Sequence, residues 1–521
     1  MINRREFIKG MAALGAASAL PSCSIGNRPL SSRLWKPLPE NDLPFAGLAT
    51  SLPQEHAYDA PIEGTLPADL QGTLYRNGPG LFDRGAYRKR MLLDGDGMIQ
   101  AFQFRDGRVR YQNRFVRTEK YLKEEEAGEF LYPTWATQAP GGISANLGVG
   151  IMNQAGVTVV RRKDRLFAFD EGFLPYELDP ETLETRGMSD LGAGELSGGY
   201  KAHWKIDGTN GDWLHFGTAY GRKTRLEIVI FKKDGGLRRQ WTVEIPRRVY
   251  MHDWLVSERH LIFILQPGII PMSQVLRMVL GLIRPVSAIR WKPELGNLVL
   301  LVDRQGKEKP FFLEAEASWM WHALNAYEEK GLVIADFAGS RHPLGIGSDD
   351  APFFLVMEGR DPGARPESEG PLLRRYVIDP GAKTLRQEVL VSNEVVEFPF
   401  VNPGLSCHRH RYGYFACLSP TEWFPTRVIR VDTHNGNVAS YDFGRGHYCS
   451  EPVFASKPGF PYEAGSGEEP GWILTLVYQA DTKRSYLAVL QADRLPAGPL
   501  AVIRLHHHAP LSFHGYWHGE T

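Results

Sequence analysis

The 521-residue chain is poor in cysteine, with only Cys407, Cys417 and Cys449 beyond its N-terminal region. Three thiols are too few for the disulfide framework on which small secreted domains depend. A Cys407–Cys417 bridge across a hairpin would fit an oxidising compartment, but we expect free, buried cysteines.

The chain also lacks net charge, because 60 basic side chains balance 60 acidic ones. No overall electrostatic field attracts a polyanion, so a nucleic-acid partner is not expected.

Long apolar runs are missing as well. The stretches Met11 to Leu20 and Val275 to Ile283 are both too short to span a bilayer as helices.

The first 30 residues have the features of an export leader. Arg4 and Arg5 precede "EFIKG" and a short apolar stretch, which resembles a twin-arginine signal for folded proteins. The run "LPSC" resembles a lipoprotein cleavage site with Cys23 as the lipidated residue, although proline is unusual there. A disordered amphipathic tail is the alternative. We predict an exported protein, periplasmic or membrane-anchored through Cys23, with residues 31–521 as a single domain.

Short strand-like segments fill the remainder of the chain. Runs such as "RLEIVIFK" and "HLIFILQP" are rich in β-branched and aromatic residues, and turn sequences such as "KKDGGL" and "THNGNV" separate them. More than twenty such strands exceed what one sandwich uses, whereas a propeller accommodates them. We therefore predict an all-β fold, a seven-bladed β-propeller of about 70 residues per blade.

Segment 267–291 departs from this pattern, because its apolar run from Val275 to Ile283 is compatible with a helix. One interpretation is a packed helical insertion. The other is a surface patch in peripheral contact with a membrane, with Arg277 and Arg284 at the level of the headgroups.

Four of the 16 histidines stand at the ends of strand-like runs, near aromatic residues or glycine: His203, His252, His322 and His514. Their wide spacing excludes a local metal motif. A propeller, however, brings strands from all blades to one axis, where four imidazoles could bind iron, copper or zinc. Such ligands need an acceptor for the second ring nitrogen. Three glutamates in apolar strand-like settings are candidates, namely Glu171, Glu397 and Glu451.

Ten motifs in order resemble the carotenoid cleavage oxygenase family over about residues 55–520. They include "GTLYRNGPG", "LLDGDGMI", "AHWKIDG", "MHDWLVSE", "HALNAYEE", "EFPFVNP", "SEPVFA" and "SFHGYW". The resemblance implies a seven-bladed propeller with a helical and loop cap over an axial Fe2+ held by the four histidines. It also implies that Glu171, Glu397 and Glu451 orient three of those histidines. Such enzymes use O2 to cleave a conjugated or stilbene-type double bond into two carbonyls.

The sequence departs from the family pattern at several positions. Met91 and Leu93 replace a His-x-Phe pair, Trp204 replaces proline, and Phe400 replaces arginine. Val157 stands where members carry a threonine near the vacant side of the iron, which leaves the details of oxygen coordination open.

Three hypotheses follow for the function. The first is a dioxygenase acting on a carotenoid or apocarotenoid, with Trp321 as part of the wall of an apolar cleft. The second is a stilbene-cleaving dioxygenase. Stilbene cleavers of the family typically carry a lysine before the first glutamate, whereas this chain has Asp170, which would repel a phenolate. The third is a non-catalytic propeller that binds an apolar ligand.

Overall fold

The computed structural model describes residues 42–520 except 195, 344, 347–351, 367–369, 421 and 460–469. Seven large antiparallel sheets follow one another along the chain and form a seven-bladed β-propeller, which confirms the predicted fold. The leader, with Arg4, Arg5 and Cys23, lies outside the described residues.

The blades, numbered I to VII, have the following strands. Blade I contains Ala57–Asp59, Gly72–Leu81, Asp96–Arg105, Arg108–Phe115 and His514–Gly519. Blade II contains Thr158–Arg162, Arg165–Phe169, Tyr176–Leu178 and Thr185–Met188, and blade III contains Lys205–Ile206, Trp213–Tyr220, Thr224–Phe231 and Leu237–Ile245. Blade IV contains Leu255–Val256, His260–Leu265, Asn297–Asp303 and Phe311–Ala315, and blade V contains Trp319–Glu329, Leu332–Ser340, Leu372–Asp379 and Thr384–Val391.

Blade VI contains Val395–Phe400, Tyr412–Leu418, Arg427–Asp432 and Val438–Asp442. Blade VII contains Ile62–Gly64, His447–Cys449, Val453–Ser456, Gly471–Gln479, Arg484–Gln491 and Pro499–Arg504. Two short hairpins lie outside the blades and pair Asp83–Arg84 with Tyr87–Arg88, and Gly268–Ile269 with Arg290–Trp291.

The ring is closed by strands from both ends of the described chain. Strand His514–Gly519 pairs antiparallel with Gly72–Leu81, and His514 lies opposite Asn77. In blade VII, Ile62–Gly64 pairs with Pro499–Arg504 in the same way. Blades I and VII therefore each combine strands distant in sequence.

The hydrophobic core is a ring of clusters between neighbouring blades. Strand "HLIFIL" in blade IV is buried along its whole length, because its sheet is covered on both faces. Between blades III and IV, for example, Phe216, Trp254 and Phe263 stack with centroids 5.1–5.4 Å apart. Cys407, Cys417 and Cys449 are free and buried in such clusters, as predicted.

Helices occur in the segments that connect strands: α1 Glu119–Ala127, α2 Ile143–Asn146, α3 Met272–Val279 and α4 Pro352–Met357. Helix α3 lies inside segment 267–291 and covers only the first part of the run from Val275 to Ile283 that the sequence makes compatible with a helix. The segments around α2 and α3 are joined by backbone hydrogen bonds, from Gly148 to Val279 at 2.7 Å and from Val286 to Trp135 at 2.9 Å. Among the described residues, no helix is long and apolar enough to cross a membrane.

Candidate metal centre

The four predicted histidines come from four blades and meet at one point. His203 and His252 immediately precede the first strands of blades III and IV. His322 lies within the first strand of blade V, and His514 begins the strand that closes blade I. One ring nitrogen from each imidazole lies within 4.8 Å of the others.

Local backbone irregularities direct two of the side chains that face this point. The pairing of strand Trp319–Glu329 with its neighbour shifts register between Met320 and Ala323, on both sides of His322. Strand Val395–Phe400 shifts in the same way after Glu397. Bulges of this kind turn a side chain away from the regular alternation of a strand.

Glutamate carboxylates lie close to three of the imidazoles and form hydrogen bonds with His322 and His514. His252 Nδ1 lies 2.7 Å from Glu171 Oε1. His322 Nδ1 lies 2.5 Å from Glu397 Oε2, and His514 Nδ1 lies 2.7 Å from Glu451 Oε1. An Nδ1–H that donates to a carboxylate leaves Nε2 with a free lone pair, the form in which imidazole binds metal ions. The structure thus brings all seven predicted polar residues together.

The spacing of the ring nitrogens suits a metal ion. His203 Nε2 and His252 Nε2 are 2.9 Å apart. Two ligands at right angles, each about 2.1 Å from one metal ion, would lie about 3 Å apart. Four neutral nitrogen donors suit a first-row transition metal such as iron, so the residues present fit the expected group.

The environment keeps at least two of the imidazoles neutral. Burial lowers the pKa of His203 well below its usual value, and the surrounding histidines lower it further. Burial also lowers the pKa of His514, against the opposing effect of Glu451. At His322 burial acts in the same direction, but the Glu397 carboxylate outweighs it and raises the pKa. Neutral imidazoles bind a cation without first losing a proton.

Sequence reasoning missed two charged residues beside the histidines. Asp253 Oδ2 lies 3.7 Å from His203 Nδ1, beyond hydrogen-bonding distance, and Asp253 Oδ1 pairs with Lys205 at 2.8 Å. The buried Lys201 donates to Glu171 Oε2 at 3.0 Å. Both residues stand within two positions of one of the four histidines in sequence, in "KAH" and "HD", and this was the available signal.

The pair formed by Glu171 and Lys201 is ionised. Burial alone would raise the pKa of Glu171, but Lys201 and His252 outweigh it and lower that pKa to about 2. Burial likewise opposes the charge on Lys201, and Glu171 reverses the effect and raises the pKa of Lys201. A carboxylate therefore faces His252 at any pH at which the protein would work.

Aromatic side chains form a wall beside His252. The Trp321 ring is 5.2 Å from the His252 ring and 5.2 Å from the Trp319 ring. Tyr250 stacks on Trp319 at 6.0 Å and contacts Trp135 at 5.2 Å. Trp321 and Trp135 are only partly buried, so this wall extends from the histidines toward the surface.

Asp170, which was predicted to contact the substrate, accepts hydrogen bonds from the backbone instead. Its Oδ2 accepts from Gln154 N at 2.7 Å, and its Oδ1 accepts from Glu171 N at 2.8 Å. The side chain is buried, which raises its pKa. These two bonds give Asp170 a structural role beside Glu171, and contact with a substrate stays a prediction.

Residues 48–519 match the family described as retinal pigment epithelial membrane protein. The chain belongs to this carotenoid cleavage oxygenase family. The match confirms the resemblance found in the sequence motifs. Residues 1–21 separately match the twin-arginine translocation signal.

Several relatives are similar to the chain over most of their length. The apocarotenoid-15,15'-oxygenase of Synechocystis is 33% identical over 481 residues, covering 90% of this chain and 94% of that protein. Isoeugenol monooxygenase of Pseudomonas nitroreducens is 28% identical, covering 88% and 94%. The crystal structure of cobalt-substituted Synechocystis ACO superposes with a TM-score of 0.83 at 31% identity, covering 92% of this chain and 99% of that one.

Proposed function

We propose that the protein is an iron(II)-dependent dioxygenase that uses O2 to cleave a conjugated double bond of a carotenoid or apocarotenoid into two carbonyl products. The observation that carries this proposal is the convergence of four imidazoles from four blades, three of them held by glutamates. Membership in a family whose relatives cleave apocarotenoids and stilbenes supports the same chemistry.

His203, His252, His322 and His514 would hold the iron, and Glu171, Glu397 and Glu451 would keep their free nitrogens directed at it. Iron(II) in this site would supply the activation of O2. No reducing cosubstrate is needed, because the cleaved double bond provides the electrons and each product carbonyl receives one oxygen atom.

The aromatic wall would bind and orient the substrate. Trp321, Trp319, Tyr250 and Trp135 give it an apolar surface beside His252, which suits a neutral polyene. Met91 and Leu93, the departures from the family pattern, belong to the same apolar cluster. Their side chains exclude water from this side of the cleft.

Stilbene cleavage is the second candidate. The wall of tryptophan rings would also stack on an aryl alkene, and the lignostilbene-α,β-dioxygenase isozyme III of Sphingomonas paucimobilis is 26% identical over 478 residues. A phenolate would need a cationic or donor partner, because burying an unpaired charge costs several kcal/mol. Asp170 is not such a partner, because both of its oxygens accept from backbone amides, so the polyene remains the first choice.

The test compares substrates and follows the oxygen atoms. Protein with iron bound is incubated under ¹⁸O₂ with a panel of apocarotenals, isoeugenol and 4-hydroxystilbenes. The masses of both cleavage products are then measured by mass spectrometry. We expect label in both carbonyls and fastest turnover of an apocarotenal. Label in one product alone would make the protein a monooxygenase, and faster cleavage of a hydroxystilbene would favour the second candidate.

The variants His252→Ala and His514→Ala should fold, bind no iron and have no activity.

We also propose peripheral membrane contact through segment 267–291, from which an apolar substrate would enter. In α3, Met272 and Leu276 are 60% and 54% exposed. Ile143 and Leu147, in the segment whose Gly148 N–H donates to Val279 O at the end of α3, are 48% and 53% exposed. Exposed apolar side chains of this kind favour contact with a membrane surface. The twin-arginine signal supports export, after which lipidation of Cys23 would anchor the protein.

A further inference from the structure

The three glutamates beside the histidines are held in different ways. Glu397 Oε2 accepts from Phe398 N at 2.8 Å, and Glu451 Oε2 accepts from Gly515 N at 2.6 Å. These donors belong to the backbone and would be present with any side chain. The second oxygen of Glu171, Oε2, instead accepts a hydrogen bond from a side chain, the ammonium group of Lys201. One of the three carboxylates therefore depends on a replaceable residue.

Lys201 contacts both groups that face His252 Nδ1. Its Nζ lies 3.0 Å from Glu171 Oε2 and 5.0 Å from the centroid of the Tyr250 ring. Glu171 Oε1 lies 2.7 Å from His252 Nδ1, and the Tyr250 hydroxyl lies 3.2 Å from the same atom. A single ammonium thus restrains both neighbours of this nitrogen.

The backbone places Lys201 firmly. Its N–H donates to Phe216 O at 2.8 Å, and its side chain is 7% exposed. His203 follows two residues later, so one short segment provides a ligand and also the restraint on a second ligand. Without the ammonium, Glu171 Oε2 would be a buried charged oxygen without its ionic partner, and the carboxylate would turn toward another donor.

We propose that Lys201 is a positioning residue for metal binding, because its ammonium fixes the Glu171 carboxylate against His252 Nδ1. This inference rests on the proposed function, since it assumes that the four histidines bind a metal ion. It assigns to a lysine the task that backbone amides perform for Glu397 and Glu451.

The test is a cobalt(II) titration of the metal-free protein, followed through the visible absorption of bound cobalt, which responds to ligand geometry without turnover. Lys201→Met should weaken cobalt binding about tenfold and change the absorption bands, because loss of an outer partner typically costs about 10–100-fold in metal affinity. Lys201→Arg, which keeps the charge, should restore most of the affinity. Lys330→Met, a substitution of an exposed lysine, is the matched control and should behave like the wild type.

A double variant separates this role from a general loss of packing. Lys201→Met combined with Glu171→Gln should bind cobalt about as weakly as Glu171→Gln alone, because the lysine acts through the glutamate. Additive losses would overturn the inference, as would wild-type affinity and absorption in Lys201→Met. If Lys201→Met fails to fold by circular dichroism, Lys201→Gln replaces it under the same criteria. Absence of cobalt binding in the wild type would instead contradict the proposed function.

Discussion

At the residue scale, the candidate metal site depends on carboxylates that contact Nδ1 of the imidazoles, away from the nitrogens that meet at the centre. Glu451 uses one oxygen for His514 Nδ1 and the other for Gly515 N, so it fixes both the ring and the strand that carries it. In Glu397 a single oxygen, Oε2, accepts hydrogen bonds from both His322 Nδ1 and Phe398 N. The His322 and His514 rings are therefore each oriented by a glutamate that belongs to a different blade.

Glu451→Gln and Glu397→Gln should each lower metal affinity about 10–100-fold while the propeller remains folded. The amide keeps the shape of the side chain but loses the charge that stabilises the Nδ1–H tautomer. Equilibrium dialysis against iron(II), with circular dichroism as the check on folding, measures the effect. Glu126→Gln, on the exposed side of α1, is the control. Unchanged affinity in both variants would show that these glutamates are ordinary structural residues.

The sequence allowed all seven of these polar residues to be predicted, but not the partners of the charged residues around them. Asp170 was expected to face the substrate because it precedes Glu171, whereas its oxygens accept from two backbone amides. Lys201 gave no sign of its contact with Glu171, since the two residues belong to different segments of the chain. The direction of a side chain beyond the end of a strand depends on contacts that short-range patterns do not encode.

At the element scale, blade edges near the axis are held together by ion pairs. His408, in the loop before strand Tyr412–Leu418 of blade VI, lies 2.8 Å from Asp207 beside blade III and 3.6 Å from Glu258 of blade IV. The hydrogen bond that His408 donates to Asp207, together with the nearby Glu258 carboxylate, raises the pKa of His408 to about 9. Arg304 Nη2 also pairs with Asp207 at 3.0 Å.

This cluster predicts a loss of stability at alkaline pH. A histidine whose pKa is raised on folding makes its full contribution to the free energy of unfolding below its unfolded pKa of about 6.5. For His408 that contribution is lost as the pH rises through about 9. Between pH 7 and pH 10 we expect a loss of about 1 to 2 kcal/mol, allowing for solvent screening of the partly exposed ring. Urea unfolding at both pH values measures it, and His408→Gln should lose correspondingly less. An equal loss in the two proteins would contradict the role of His408.

The pairing register of the strands could not be predicted from the sequence either. His322 was expected at the end of a strand-like run, whereas the structure has one strand over all of Trp319–Glu329 with His322 inside it. The irregular pairing around His322, however, requires the neighbouring strand Leu332–Ser340 as a template, and no local pattern specifies it. The helix of segment 267–291 was predictable because its apolar residues recur within a few positions.

Helix α3 should determine binding to lipid surfaces. Leu276→Ser combined with Met272→Ser removes the two most exposed apolar side chains of the helix, so co-sedimentation with liposomes should fall several-fold. Met188→Ser is the control, because Met188 is 58% exposed but lies on blade II. The comparison uses protein without the leader, since lipidation of Cys23 would mask the effect. Equal sedimentation of all three proteins would exclude α3 as the contact.

At the scale of the whole molecule, the leader and the fold are connected through the route of export. A twin-arginine carrier accepts folded proteins, so the site would be complete before the membrane is crossed. Replacing Arg4 and Arg5 with lysine should leave the protein in the cytoplasm, because that carrier requires the arginine pair. Fractionation and immunoblotting measure the distribution. Undiminished export would indicate the general secretory route and metal acquisition outside the cytoplasm.

The closure of blade I has a consequence for how the protein is made. Strand His514–Gly519 emerges from the ribosome after every other described strand, yet it completes the sheet begun by Gly72–Leu81 and carries one of the four imidazoles. Until this strand is in place, the other three histidines lack both the fourth imidazole and a closed ring. Binding of a metal ion to all four histidines would therefore favour closure of blade I, and closure would favour binding.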